Sequence, residues 1–139
     1  MAAALAYRPD GSQAGLVFEL CTGAYNTDAL IEFLTAFHHH FAGEKVTLIW
    51  DGLPSHRSTA MKHWIARQRH WLVVEQLPAY APDLNPVELL WSNVKGVELA
   101  NLCPDTIDQA RQAAEAGLQR AGTDYQLCLN FLDHTGLSL

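Results

Sequence analysis

The sequence has 139 residues and a formal charge of −6, with 49% apolar and 17% charged residues. The length fits one domain, and the apolar content is high enough for a folded core, which excludes a disordered chain. The acidic balance excludes a protein held to nucleic acid by its overall field, although a local basic surface is still allowed. No stretch reaches the roughly 18–20 apolar residues that span a membrane, so we expect a soluble, cytoplasmic protein.

The first forty residues predict a β-hairpin followed by a helix. Apolar runs at 2–8 and 15–20 flank Pro9-Asp10-Gly11, whose residues favour a tight turn. Asn26-Thr27 then precedes apolar residues spaced by three, four or seven positions. This spacing is typical of an amphipathic helix, and the asparagine and threonine are suited to cap its start.

A strand, a helix and a second strand are predicted next. The β-branched and aromatic run Lys45–Trp50 predicts a strand that stops at Asp51. A helix is predicted over about 57–69, and Trp71–Val74 predicts another buried strand. Strand, helix and strand in this order imply a parallel pair with a right-handed crossover.

The C-terminal half is predicted to be mainly helical. The segment Leu77–Pro86 contains three prolines, which excludes a helix or a central strand there. Helices are predicted from Pro86 onward, from Pro104 to about residue 120, and from about Thr123 to His134. These elements together predict a single α/β domain over the whole chain.

Two acidic residues occupy positions that suit a metal ligand. Asp51 ends an apolar strand, and ligands bind at the carboxyl ends of strands in open α/β sheets. An aspartate before glycine is also a common turn residue. Glu88 falls in the first turn of a predicted helix, where Asn85-Pro86 before it makes it the third residue of a capping box, the better interpretation of this residue when it is taken alone. Considered one at a time, each acid has two open interpretations.

The segments around these two acids resemble those of a known family. Asp51-Gly-Leu-Pro-Ser-His-Arg-Ser58 and Leu77-Pro-Ala-Tyr-Ala-Pro-Asp-Leu-Asn-Pro-Val-Glu-Leu-Leu-Trp91 are similar to the second and third acidic motifs of mariner-like transposases. Bacterial insertion-sequence relatives, the DDE superfamily endonucleases, carry the same pair of motifs. The acids are separated by the 36 residues from 52 to 87, close to the mid-thirties interval of that group. Gly23–Thr27 also matches, and the resemblance runs from about residue 5 to residue 115.

The resemblance implies a fold, a reaction and a cofactor. The fold is ribonuclease H-like, with a mixed sheet flanked by helices, and the reaction is cleavage and transfer of DNA strands. The implied cofactor is a pair of divalent cations, Mg²⁺ or Mn²⁺, which suit carboxylate oxygens and in-line displacement at phosphorus. Asp51 and Glu88 are the implied catalytic and metal-binding residues, with Asp51 bridging both ions. The implied partner is DNA, as transposon ends and target.

One catalytic acid of the family has no counterpart in these residues. It lies on the opening, central strand of the sheet, before the hairpin, whereas this sequence begins inside the hairpin and no acid precedes Asp10. We therefore expect a partial catalytic domain with impaired activity. We also expect compensation for the missing strand, either by a homodimer or by direct pairing of the hairpin with the strand before Asp51. The alternatives are a non-catalytic transposase remnant that acts through protein association, and a nuclease that takes a third acid from Glu19, Asp133 or a partner chain.

Residues 56–70 are the basic stretch of an acidic sequence. They contain lysine, arginine and three histidines but no acid, so contact with DNA phosphates is one interpretation. A solvated helix face is the other. The candidate DNA-binding residues are His56, Arg57, Lys62, Arg67 and Arg69.

Two other sets of residues are not predicted to form metal or disulfide sites. His38–His40 lies at a helix end, where positive groups suit the helix dipole, and consecutive side chains point in different directions. Cys21, Cys103 and Cys128 form no CxxC pair, which indicates a reducing compartment. We expect all three to be small buried apolar groups.

Overall fold

A computed structural model describes residues 1–20, 25–41, 43–78, 82–100 and 102–137. The strands are β1 (Ala2–Tyr7), β2 (Ala14–Glu19), β3 (Val46–Trp50) and β4 (Leu72–Gln76). The α-helices are α1 (Thr27–His40), α2 (Thr59–Arg67), α3 (Pro86–Val94), α4 (Ile107–Thr123) and α5 (Tyr125–His134). The chain divides into two compact units, of which unit 1 holds Met1–Ala2 and Cys21–Pro82 and unit 2 holds Ala3–Leu20 and Asp83–Leu139.

Unit 1 is built from two capped helices and a parallel pair of strands. Asn26 Oδ1 accepts a hydrogen bond from the Ala29 backbone N–H at 2.9 Å and starts α1. Ser58 Oγ accepts from the Met61 N–H at 3.2 Å and starts α2. The core of this unit consists of the buried residues Leu30, Phe33, Leu34, Phe37, Trp50, Met61, Trp64, Trp71 and Leu72.

The strands β3 and β4 pair in parallel, as the strand–helix–strand order predicts. The register runs from Val46 opposite Leu72 to Trp50 opposite Gln76. The carboxyl ends of both strands therefore lie side by side, and Asp51 directly follows one of them. One face of this sheet is exposed, with Ile49 at 54% exposure.

Unit 2 packs the hairpin of β1 and β2 against helices. The hairpin reverses at Gly11, whose φ of 69° lies in the left-handed region that glycine adopts easily. Its second strand packs on α4 and α5, and the Tyr7 hydroxyl donates to the Cys128 carbonyl at 2.9 Å. The core cluster of this unit consists of Leu90, Val94, Ala114, Leu118, Ala121 and Phe131.

The helix α3 does not end at Val94 but continues as a π-helical segment over Lys95–Leu99. Glu98 in this segment forms an ion pair with Arg120 of α4, with Oε1 at 2.6 Å from Nε. The close approach depends on Gly117, because a Cβ there would lie 2.5 Å from Glu98 Oε2. The ion pair and the glycine together fix α3 against α4.

Some predicted boundaries and environments differ from the structure. The helix predicted from Pro104 begins at Ile107, because Thr106 Oγ1 caps it by accepting from the Gln109 N–H. Cys128 is buried as predicted, but the prediction for Cys103 was wrong because it is exposed. Cys21 lies outside the described residues, as do 79–81 of the proline-rich loop, in which Pro82–Leu84 forms a 3-10 turn.

The described strands form two two-stranded sheets, β1 with β2 and β3 with β4. Direct pairing of the hairpin with β3, one of the two expected compensations, is therefore absent from the residues that the structure covers. The homodimer and the single domain over residues 1–139 remain predictions. Within the same residues, no helix is both long and apolar enough to cross a bilayer.

Candidate functional site

Asp51 stands at the carboxyl end of β3 and starts a tight turn. Its Oδ1 accepts a hydrogen bond from the Leu53 backbone N–H at 3.2 Å. The Leu53 carbonyl in turn accepts from the His56 backbone N–H at 3.0 Å. These two bonds bring His56 back beside Asp51. The Asp51 side chain is 41% exposed, so its carboxylate is accessible to a ligand from solution.

The imidazole of His56 contacts Asp51 through a single nitrogen. Its Nδ1 lies 2.9 Å from Asp51 Oδ1 and 2.9 Å from the Asp51 backbone oxygen. Both of these oxygens accept hydrogen bonds, so Nδ1 carries the proton. The ring also stacks on Trp50, with centroids 4.2 Å apart and an interplanar angle of 3°. Only 12% of the His56 side chain remains exposed.

Trp50 and Arg57 complete the surroundings of the Asp51 turn. Trp50 is 8% exposed and belongs to the core of unit 1, and its backbone oxygen accepts from the Leu77 N–H at 2.9 Å. The guanidinium of Arg57 lies 3.8 Å from the position that a Cβ on Gly52 would take. A positive group thus lies next to the residue that follows Asp51.

Glu88 is presented by the first turn of α3. Asn85 caps the helix by accepting from the Val87 N–H at 3.3 Å, and the Glu88 N–H donates to the Asn85 carbonyl at 3.0 Å. A capping box would also need a bond from the Asn85 N–H to the Glu88 carboxylate, and none is present in the described part of the chain. The Glu88 side chain is exposed, so the cap does not occupy its carboxylate.

The carboxylates of Asp51 and Glu88 suit a metal ion that is also held by water and substrate, and not one enclosed by protein ligands alone. Asp51 belongs to unit 1 and Glu88 to unit 2, and each has an accessible carboxylate. Among the described residues, no group of three or more His, Cys, Asp or Glu side chains is arranged to hold a metal ion. A closed cage made only of protein ligands is therefore not formed. Mg²⁺ commonly binds through one or two carboxylates, several waters and substrate phosphates, and each of the two carboxylates, taken by itself, suits a donor set of this kind.

The lysine and arginines of the basic stretch are exposed, whereas Met61 and Trp64 of the same stretch are buried. Arg57, Lys62, Arg67 and Arg69 are exposed, which either of the two interpretations of this stretch requires. His56 instead uses its ring for contacts with Asp51 and Trp50. A shallow groove in unit 1 is lined by Ile31, Ala60, His63, Trp64, Ala66 and Arg67. None of the described residues that line it is an acid, so they offer no carboxylate for Mg²⁺.

Sequence reasoning identified the two acids and placed His56 close to Asp51, but it missed the stacking of His56 on Trp50. The sequence places Trp50 next to Asp51 and His56 five positions later, but no local pattern shows that their rings stack. A histidine that follows a Gly-Leu-Pro-Ser turn is the only signal, since such a turn reverses the chain. Trp91, the last residue of the motif that contains Glu88, packs against the core cluster of unit 2. Gly23 and Ala24 of the upstream motif lie outside the described residues.

Comparisons with known proteins agree with the motifs. A family model described as DDE superfamily endonuclease matches residues 8–110. The chain is also similar to a solved structure described as "Structure of Mos1 transposase catalytic domain and Raltegravir with Mg". The TM-score is 0.62 and the identity is 16%, over 97% of this chain and 78% of that chain. This likeness confirms the predicted ribonuclease H-like fold. No curated protein gives a significant match.

Proposed function

Because the chain belongs to the DDE superfamily endonucleases, we propose that it is the catalytic part of a transposase that cleaves DNA strands and joins them. One observation carries the proposal. The Asp51 carboxylate stands at the carboxyl end of a parallel strand, is accessible to solvent, and is held by the protein through one oxygen. That arrangement suits a metal ligand on a rigid element.

Asp51 and Glu88 are the proposed ligands of the divalent cations, Mg²⁺ or Mn²⁺. When bound, such cations stabilise the negative charge that builds up on phosphate oxygens during in-line displacement. Asp51 supplies an oxygen from a tight turn, and Glu88 supplies one from a helix start whose cap leaves its carboxylate accessible. Two of the family's three acids have counterparts here, so we expect weak cation binding and impaired activity from these 139 residues.

A titration with Mn²⁺ and a DNA-nicking assay test this proposal together. Saturable line broadening is expected at the amides next to Asp51 and Glu88. Asp51→Asn and Glu88→Gln should each weaken the broadening and remove any metal-dependent nicking. The matched controls are Glu32→Gln and Asp108→Asn, two exposed acids elsewhere in the chain, which should change neither readout. Unchanged broadening and nicking in Asp51→Asn would contradict the proposal.

DNA, as transposon ends and target, is the proposed partner, with the exposed lysine and arginines of the basic stretch as the contact surface. Arg57 lies beside the turn of Asp51, where a phosphate contact would also orient the strand to be cleaved. Arg57→Ala and Lys62→Ala should weaken binding equally for all DNA sequences, and each should lower the slope of log affinity against log salt by roughly one. Lys95→Ala, an exposed cation outside the stretch, is the control. His56 could contact DNA only through the 12% of its side chain that is exposed.

The second candidate function is a non-catalytic remnant that acts through protein association, with a homodimer as the simplest form. One observation favours it. Thr47 and Val73 are paired in the β3–β4 register, and Ile49 is two residues after Thr47, so all three share a face of the sheet. Ile49 is 54% and Val73 is 52% exposed. Sedimentation should then show a dimer that Val73→Lys dissociates; a monomer at all concentrations would exclude the homodimer. Under either candidate function, the proposed location of the protein is the cytoplasm.

A further inference from the structure

Two donors of the described chain contact the Asp51 carboxylate, and both contact the same oxygen. The Leu53 N–H at 3.2 Å and His56 Nδ1 at 2.9 Å both contact Oδ1. Two donors occupy the lone pairs that one carboxylate oxygen normally offers. Within the part of the chain that the structure describes, the hydrogen bonds of this carboxylate all fall on Oδ1. The second oxygen, Oδ2, is therefore the one left for a ligand from outside.

The group that holds Oδ1 is itself firmly placed. The Nδ1–H of His56 is shared between Oδ1 and the Asp51 backbone oxygen at 2.9 Å, and the ring lies parallel on Trp50. Because Trp50 is part of the buried core of unit 1, the histidine cannot rotate without losing both contacts. The Leu53 N–H alone would leave the Asp51 side chain with one weak restraint at the end of a turn.

We propose that His56 is a positioning residue, which holds Asp51 in the rotamer that presents Oδ2 to a divalent cation. This inference rests on the proposed function, because it assigns the purpose of the contact to cation binding. Without the imidazole, the aspartate side chain would exchange among its staggered rotamers, and the cation would have to order it on binding. This positioning role differs from the phosphate contact that the sequence predicts for His56.

Two substitutions separate the hydrogen bond from the stacking. His56→Phe keeps an aromatic ring for Trp50 but removes the donor. His56→Asn removes the ring but keeps an amide N–H close to the position of Nδ1. His56→Gln carries its amide one bond farther out and serves as the control for a donor in the wrong place. A role limited to packing would be preserved best by phenylalanine, whereas a positioning role would be preserved best by asparagine.

The first readout is taken without metal. Three-bond couplings between Hα and Hβ of Asp51 should show one dominant rotamer in the unchanged protein and in His56→Asn, and averaged couplings in His56→Phe and His56→Gln. The ring ¹⁵N shifts of the unchanged protein should place the proton on Nδ1. A proton on Nε2, or unaltered couplings in His56→Phe, would overturn the proposal. The ¹⁵N measurement decides the point even where a variant does not fold.

The second readout is Mn²⁺ affinity in the absence of DNA, measured by relaxation enhancement. Loss of a group that orients a metal ligand typically weakens binding 10–100-fold, so His56→Phe should lose roughly that much and His56→Asn should stay within about threefold of the unchanged protein. Equal affinities would overturn the proposal. If the couplings change as expected but the unchanged protein itself binds no Mn²⁺, the contact is supported as positioning Asp51, and it is the proposed function that fails.

Discussion

The two acids are placed by different physical means. Asp51 is oriented by side-chain and backbone donors within the six-residue turn Asp51–His56, above all by His56. Glu88 is placed by the axis of a helix, whose start is fixed by Asn85 and whose inner face contains the fully buried Leu90. The direction of one carboxylate therefore depends on hydrogen bonds, and the position of the other depends on helix packing. Substitutions that affect one should leave the other unchanged.

The largest expected effect is on the packing that supports Glu88. Leu90→Ala removes a side chain with 0% exposure from the core of unit 2, and such a change costs about 2–5 kcal/mol of unfolding free energy. Urea denaturation would measure it. Leu89→Ala, at a neighbouring half-buried position, should cost clearly less. Equal costs at the two positions would mean that α3 does not depend on its inner face in the way described.

A pair of glycine substitutions tests the attachment of α3 to α4. Alanine at Gly117 would meet the Glu98 carboxylate and Val94 Cγ1, at 2.5 and 3.0 Å from the new Cβ. The resulting overpacking costs about 1–3 kcal/mol, partly offset by the better helix propensity of alanine. Gly96→Ala meets nothing within 4 Å and should instead stabilise the protein by up to ~1 kcal/mol. Thermal unfolding of the two variants should therefore shift in opposite directions.

Asn85, the cap of α3, allows a more local test of whether Glu88 is placed independently of Asp51. Asn85→Ala leaves the Val87 N–H without its 3.3 Å partner, at a cost of about 0.5–2 kcal/mol. Asn85→Asp keeps a capping oxygen and should retain most of the stability. Amide exchange should become faster in the first turn around Glu88 and stay unchanged from Asp51 to His56. Faster exchange in that turn as well would show that the two acids are not independent.

The smallest effect concerns alkaline pH and unit 2. Burial raises the pKa of Tyr7 above its usual value of 10.0, with Cys128 and Asp133 adding to the shift. The folded state favours the neutral phenol of Tyr7. Its contribution to the free energy of unfolding is therefore fully present below the pKa of the unfolded state, and it is lost as pH rises through the higher pKa of the folded state. Tyr7→Phe should lose about 0.5–1.5 kcal/mol for the missing hydrogen bond.

The same variant should also show less loss of stability between neutral pH and a pH above 10. The exposed Tyr125, replaced by phenylalanine, is the control. An alkaline loss that persists in Tyr7→Phe would assign it to another group. Chemical denaturation followed by circular dichroism at each pH provides the measurement.

The sequence was sufficient for the elements and for the two acids because both are encoded locally. Apolar spacing predicted the helices, and the strand–helix–strand order predicted the parallel pair of β3 and β4, which the structure confirms. The motifs around Asp51 and Glu88 depend on contiguous residues, and the family match to residues 8–110 covers both. Taken alone, Glu88 is better explained by a capping box, and that interpretation is excluded only in three dimensions, where Asn85 caps the helix but no bond from its N–H to the Glu88 carboxylate occurs among the described residues.

Other features depend on residues that are distant in sequence and have no local signal. The stack of His56 on Trp50 depends on how tightly one turn closes. The need for glycine at 117 depends on Glu98, a residue of another helix. Periodicity also does not distinguish a helix that continues in α geometry from one that changes to a short π-helical segment, because a single π turn adds one residue to a pattern that is only a few residues long.

That segment changes the phase of the helix to which it belongs. A π turn accommodates an extra residue compared with an α turn, and each residue of an α-helix rotates the chain by about 100°. Residues after Val94 therefore face a different direction than an uninterrupted α3 would give them, and Glu98 meets Arg120 as a result. Deleting one residue between 95 and 99 would leave a more regular helix and separate that pair. At this position, one extra residue in the sequence rotates all the following side chains about the helix axis. The Glu98–Arg120 contact therefore depends on the number of residues in this segment as much as on their identity.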